Sequence, residues 1–511
     1  MSAESRPPLR VVLCWHMHQP EYREPLAGHY QLPWTYLHAI KDYVDMAAHL
    51  EEVPAARAVV NFTPTLLEQL DDYAAQLEGF LERGEAIRDP LLNALASPVP
   101  PCDPEGRLEL IRACLRANQG RMIDPHPPFR RLAELGRWLL ENPHQVVYIG
   151  DRFFTDLVVW YHIAWMGETV RAREEWLQQL IARGGEFTIH DRSLMLQCIL
   201  RLISGIAGRY RALAEAGRVE LSVTPYAHPI LPLLLDMESA RQAVPDLPLP
   251  EVVHYPGGEA RARWHIQRGI EVFERHFGMR PEGCWPAEGG VCDHTLALLS
   301  EAGFRWAATG AAVLHNSLRA AGEADRPACL HRSWQVGELP LRCFFRDDGL
   351  SDLIGFTYSD WNADDAVANL IHHLEQIDQA CEEGEAPVVS IILDGENAWE
   401  YYPHNGYFFL HALYSRLAEH PRIRLTTFSA VLQEAGETGR LSRLVAGSWV
   451  YGTFTTWIGH ADKNRAWCML AEGKRAADLV LEGLPEGDER REAIERQLAI
   501  CEGSDWFWWF G

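Results

Sequence analysis

The chain has 511 residues, with 71 acidic and 47 basic side chains and a formal net charge of −24. Apolar residues make up 47% and charged ones 23%, a globular balance that excludes wholesale disorder and fibrous repeats. A field of this sign repels phosphate backbones and anionic lipid, so neither nucleic acid nor a membrane is expected as a partner, whereas a neutral polar ligand is indifferent to it. The 11 cysteines are odd in number, scattered and free of any C-x-x-C pair, as in buried thiols of a reducing compartment. The start, MSAESRPPLRVVLCW, has no basic segment leading into a long apolar core, so no signal peptide is expected. The stretch from Leu444 to Ala461 is uncharged but carries Gly, Thr, Ser and His, which disqualifies it as a lipid-facing helix. A soluble, cytoplasmic protein is expected. With 18 Trp against 9 Met, flat apolar faces with a polar handle are unusually abundant.

The first apolar run, Arg10–Trp15 (RVVLCW), reads as a buried strand and leads into Trp15-His16-Met17-His18-Gln19-Pro20. If the strand continues, His16 and His18 point to the same side. Two imidazoles can bind a ligand or a metal, but a zinc site needs a third ligand that spacing does not identify, so no metal and no cofactor is expected. A second strand is predicted at Arg57–Phe62. Pro64 to about Arg211 reads as a mostly helical insertion with proline-rich breaks at Pro98–Pro104 and Pro125–Pro128. Arg218–Val223 is the next strand. It contains Glu220, whose charge needs a partner, and it runs into TPYAHP, where two prolines stiffen the segment bearing Tyr226 and His228.

Glu282–Trp285 is a short strand followed by Pro286-Ala287-Glu288-Gly289-Gly290. A carboxylate framed by Trp-Pro and Gly-Gly is a candidate nucleophile. Asp293–Ala302 has helical periodicity, with Asp293 as the expected N-cap and Gly303 just past the end. Strands follow at Phe304–Thr309 and Leu341–Phe345. The second leads into Arg346-Asp347-Asp348, able to fix hydroxyls through carboxylates or to serve structure alone. The strongest element is Val388–Leu393, wholly apolar and ending abruptly in Asp394-Gly395-Glu396-Asn397-Ala398-Trp399. Asp394 has an apolar wall behind it and a second carboxylate nearby, both of which raise a carboxyl pKa and suit a general acid. A last strand is expected at Ile423–Phe428, after which the chain turns helical and closes on Trp506-Phe507-Trp508-Trp509-Phe510. Strand–helix alternation predicts one large α/β barrel with helical insertions, and such barrels place chemistry at the carboxyl ends of their strands. No phosphate loop, G-x-S-x-G elbow or H-E-x-x-H helix is present.

Two carboxylates on separate strands, flanked by Trp, Tyr and His, are the equipment of glycoside hydrolysis. His18-Gln19-Pro20, Glu220 with TPYAHP, WPAEGG, LDGENAWE and the Trp449–Trp467 block resemble, in this order, the characteristic segments of glycoside hydrolase family 57, in wording closest to its amylopullulanase and α-amylase branch. The resemblance implies a (β/α)7 barrel over 1–430, including the helical insertion at about 64–211, and a C-terminal helical region over 431–511 that completes the cleft. It implies action on α-glucans with retention, Glu288 as nucleophile and Asp394 as acid/base. It places His18 at the sugar subsite and His228, Trp285 and Trp457 near the substrate. His16, Glu220, Tyr226, Asp347, Asp348, Glu396, Trp399 and His460 complete the expected substrate-binding set. Glu21 stands where an aromatic residue often follows HQP, and the large appended modules of secreted amylopullulanases are missing, so an intracellular glycogen or maltodextrin role is expected. Hydrolysis, transfer by a 4-α-glucanotransferase or branching enzyme, and non-catalytic glucan binding on the same scaffold remain the alternatives.

Overall fold

The computed structural model describes residues 7–24, 27–252, 254–323, 330–381, 386–434, 436 and 438–510. Ten strands occur among them: β1 (Leu9–Met17), β2 (Ala58–Phe62), β3 (Val219–Val223), β4 (Gly283–Cys284), β5 (Trp306–Gly310), β6 (Ser333–Val336), β7 (Arg342–Arg346), β8 (Val388–Asp394), β9 (Ile423–Leu425) and β10 (Thr438–Leu441). Seven of them close a parallel barrel, β1-β2-β3-β4-β5-β7-β8, with β8 returning to β1. The predicted run at Ile423–Phe428 is not a barrel stave: β9 is short and pairs with the start of β1. β6 runs antiparallel to β7 and carries β10, a small extension with no sequence signal strong enough to announce it.

Side-chain alternation sorts most barrel strands into two cores. Val12 and Cys14 of β1, Val59 of β2, Trp306 and Ala308 of β5, Phe344 of β7 and Val388 and Ile392 of β8 fill the interior, which Phe428 and Val431 plug from below. The intervening residues, such as Val11, Leu13, Trp15, Val389 and Ile391, pack outward against the helices. Burial on both faces is why these strands read as unbroken apolar runs. Gly283 is required on β4, because a Cβ there would fall inside the ring of Trp306.

The insertion is helical, and its prolines begin helices: Pro64, Pro90, Pro104 and Pro127 each stand in the first turn, where the missing N–H costs nothing. The helix Asp293–Glu301 is capped by Cys292, not by Asp293, whose carboxylate instead accepts the backbone N–H of Leu444 at 2.8 Å. Beyond β10, residues 442–460 form neither helix nor strand, since Gly452 and Gly459 sit at positive φ within a run of Thr and Trp. Helices Ala461–Glu482 and Glu489–Cys501 follow, then a 3-10 turn, Asp505–Trp509. Among the described residues no helix is long and apolar enough to cross a membrane.

Candidate active site

At the carboxyl end of the barrel, the inward positions change from apolar to polar. His16 on β1 is the register partner of Asn61 on β2 and of Asp394 on β8, and all three share the parity of the interior side chains. Asn61 binds His16 Nδ1 at 2.7 Å and accepts the Thr224 hydroxyl at 2.8 Å. His16 Nε2 lies 3.2 Å from His228 Nε2, and the His18 ring stacks on His228 with centroids 3.9 Å apart. The backbone works for this arrangement: Ala227 and His228 both adopt left-handed φ, which for residues other than glycine costs about 1–3 kcal/mol each.

Glu288 lies in the same strained state, φ 55° and ψ 22°, within the turn after β4. Gly289 follows at φ 60°, where a Cβ would press on Trp285 at 3.1 Å. The Glu288 side chain is only 7% exposed, yet both oxygens accept hydrogen bonds. Trp449 Nε1 donates to Oε2 at 2.9 Å and Trp508 Nε1 donates to Oε1 at 3.1 Å. One indole N–H on each oxygen is the pattern an ionised carboxylate accepts most readily. Burial nevertheless pushes its pKa up to about 7; the two indoles oppose this, while Asp394 and Asp505 add to it.

Asp394 is raised above the ordinary carboxyl range, again chiefly by burial, against the pull of the Asn397 amide at 2.8 Å and the charges of His18 and Arg346. Glu288 and Asp394 therefore sense each other electrostatically, and His18 senses both. Burial works against a charged His18, but Asp505, whose carboxylate lies 2.7 Å from Nε2, together with Glu288 and Asp394 outweighs it and holds the His18 pKa above normal. His16, buried and facing His18, is pushed down to about 3, and His228 likewise stays neutral. The three imidazoles lie close enough to hold an ion together. All six ring nitrogens are already engaged, with Asn61, Thr63, Asp505, Ser504 or each other, so an ion would have to break bonds that exist.

The sequence profile of glycosyl hydrolase family 57 matches residues 12–443. The chain belongs to that family. As a family-57 protein it is an enzyme of the glycoside hydrolase and transglycosylase class. No curated protein matches the sequence significantly. Among solved structures, the GH57-type branching enzyme of the hyperthermophilic archaeon Pyrococcus horikoshii is similar, with a TM-score of 0.60 at 17% identity over 98% of this chain and 85% of that one. The α-amylase AmyC of Thermotoga maritima gives 0.57 at 15% identity, over 98% and 88%. The 4-α-glucanotransferase of Thermococcus litoralis gives 0.51 at 13% identity, over 96% of this chain and 55% of that one. At such identities the likeness speaks for the fold.

Within this family-57 barrel the other expected site residues divide. Trp285 forms the floor, edge-on to Trp449 at 5.1 Å and tilted toward His16 at 6.3 Å. Trp457 stands edge-on behind Trp508 at 5.7 Å. Glu396 lies beneath the HQP turn, accepting from His18 N at 3.2 Å and Gln19 Nε2 at 3.1 Å, with its pKa raised by burial. Glu220 shares the inward parity but sits near the amino end of β3. There Trp306 Nε1 and the N–H and hydroxyl of Ser429 occupy its oxygens, so it supports the barrel bottom instead of binding substrate. Tyr226 is turned outward, donating to Glu68 at 2.7 Å. Asp347 caps the short helix after β7 and pairs with His331 at 3.0 Å, while Asp348 pairs with Arg346 at 2.8 Å. Trp399 is core, 1% exposed, with its indole N–H on Gly395 O. His460 is exposed and caps the helix Ala461–Glu482.

Sequence reasoning missed Asn61, Ser504, Asp505 and Trp508. The only available signal was an Asp preceding five aromatic residues in the closing SDWFWWF. The segment is stitched in place. Ser504 N donates to His228 O, Gly503 bridges to Pro229, and buried Glu502 accepts from Tyr255, Arg261 and His265.

Proposed function

We propose that the protein cleaves α-glucans with retention of configuration, through a covalent glycosyl-enzyme on Glu288. The observation that carries this reading is the Glu288 carboxylate, buried, gripped on both oxygens by indole N–H groups and in electrostatic contact with Asp394. Asp394, protonated, donates to the leaving oxygen while Glu288 attacks the anomeric carbon; Asp394 then removes a proton from the incoming water. The indoles fix the nucleophile's direction before substrate arrives. His18, whose pKa is raised by Asp505 and by the two carboxylates, adds favourable electrostatics beside the reacting centre.

Exposed aromatic faces next to the gripping residues, Tyr451 beside Trp449 and Trp509 beside Trp508, suit stacking on further pyranose rings and hence an oligomeric or polymeric substrate. Transfer to another glucan hydroxyl uses the same intermediate, and the branching enzyme and glucanotransferase among the similar structures favour it as the second reading. Incubation with maltoheptaose, and separately with pullulan, tests both. Shorter products alone, released first as the α-anomer by NMR, support hydrolysis with retention. A ladder of longer products assigns transfer, and the β-anomer first would overturn the covalent mechanism. A protein that leaves maltoheptaose, amylose and pullulan intact while binding amylose would be a glucan-binding module instead.

A further inference from the structure

On the outer wall of the barrel, the helix Val44–Glu52 lies against the helix Tyr407–Glu419. His49 and Glu52 stand three residues apart and so share one face of the first helix. His411 approaches from the second, and one potential ligand atom from each of the three lies within 4.8 Å of the others. His49 is completely buried, and neither of its ring nitrogens has a hydrogen-bond partner. An unpaired polar group in that position costs about 1–3 kcal/mol, so a core imidazole with no partner needs a reason to be there. Tyr407 lines the same place, 5.2 Å from the His49 ring and stacked on His411 at 6.0 Å. Glu52 divides its oxygens: Oε1 meets Arg173 at 2.6 Å, and Oε2 is turned toward His411 Nδ1 at 3.9 Å.

We propose that His49, Glu52 and His411 form a binding site for one zinc-class divalent transition ion that clamps these two helices together. Two imidazoles and one carboxylate are a zinc-type donor set, and three protein ligands leave a position for water. With metal–ligand bonds of about 2.0–2.2 Å, the donor atoms must draw to roughly 3.3 Å apart. Glu52 and His411 are at the surface and can swing that far, while buried His49 supplies the fixed point. Arg173 holds the second carboxylate oxygen and so orients the ligand, as outer partners of metal sites do. The ion would enter from the solvent side and lies apart from the histidines of the active site.

The test is a zinc titration of the full-length, chelator-stripped protein against a chromophoric chelator, with His411→Ala and Glu52→Gln alongside. Both substitutions are at exposed or half-exposed side chains, and circular dichroism checks that each variant is folded. One equivalent of zinc with micromolar or tighter affinity, weakened at least tenfold in both variants, is expected. Zinc should also raise the Tm of the wild type by a few degrees and leave that of His411→Ala unmoved. Cobalt(II) should give visible absorption bands that His411→Ala abolishes. The proposal is overturned if the wild type takes up no zinc at tens of micromolar. Undiminished binding in both variants would also overturn it, placing the ion elsewhere, for instance on His16, His18 and His228.

Discussion

The two carboxylates proposed to react come from opposite kinds of support. Asp394 ends a seven-residue strand that is paired along its length with β1, and its parity and height follow from register alone. Glu288 follows a strand of two residues, in a left-handed turn, and its side chain is held by Trp449 and Trp508, which belong to the chain beyond the barrel. One group is placed by backbone ladder; the other is placed by side chains brought from distant sequence. The C-terminal segment thus holds side chains at the barrel mouth: without it Glu288 would lose both hydrogen-bond donors and His18 would lose Asp505.

The largest expected effects fall on the carboxylates themselves. Glu288→Gln should cut kcat by more than about 10³-fold for every substrate, whereas Asp394→Asn should lose about 10²–10⁴-fold on maltooligosaccharides but recover much of it on an aryl α-glucoside whose leaving group needs no proton. Equal losses for Asp394→Asn on both substrates would break the assignment of the acid. Next comes the grip on Glu288. Trp508→Phe or Trp449→Phe should lower kcat/KM by about 10²-fold, as for removal of one preorganised donor, and should move the acid limb of the pH–rate profile upward. The direction follows because each indole opposes the raised pKa of Glu288, so losing one raises it further. An unmoved acid limb would show that the indoles pack and do not tune.

Stability should follow the same chemistry. The Glu288 pKa is raised to about 7, so between the ordinary value of 4.5 and that pH the folded protein holds a proton that the unfolded chain has released. Stability is therefore unaffected below this window, declines as pH rises through it, and carries a penalty of about 3 kcal/mol above it. Thermal unfolding should accordingly show the wild type losing more Tm between pH 5 and pH 8 than Glu288→Gln, and equal slopes would refute the shift. The smallest effects should lie where the structure removed residues from the site. Trp399→Phe should cost about 1–3 kcal/mol in denaturant unfolding with kcat nearly unchanged, and His460→Ala should alter neither by much.

Much of this was legible beforehand. The seven staves were marked by apolar runs because both of their faces are buried, and Asp394 was marked because a polar residue ends such a run. Glu220 shows the limit: period-two alternation gives the side a residue faces but not its height in the barrel, so an inward carboxylate at the bottom looks like one at the top. Trp399 shows another, because a tryptophan beside a catalytic motif has the same letters whether it faces sugar or the neighbouring helix.

The sequence by itself determined the barrel class, its seven staves and the family segments, though not β6, β10 or the short β9, since burial, turn chemistry and local motifs are short-range properties written in neighbouring residues. Only the tertiary structure decided that Asp505 and Trp508 return across more than a hundred residues to His18 and Glu288, and that His49, Glu52 and His411 share one pocket. Such contacts depend on how whole helices and strands dock, and no spacing along the chain encodes the distance between elements that meet only in the folded state.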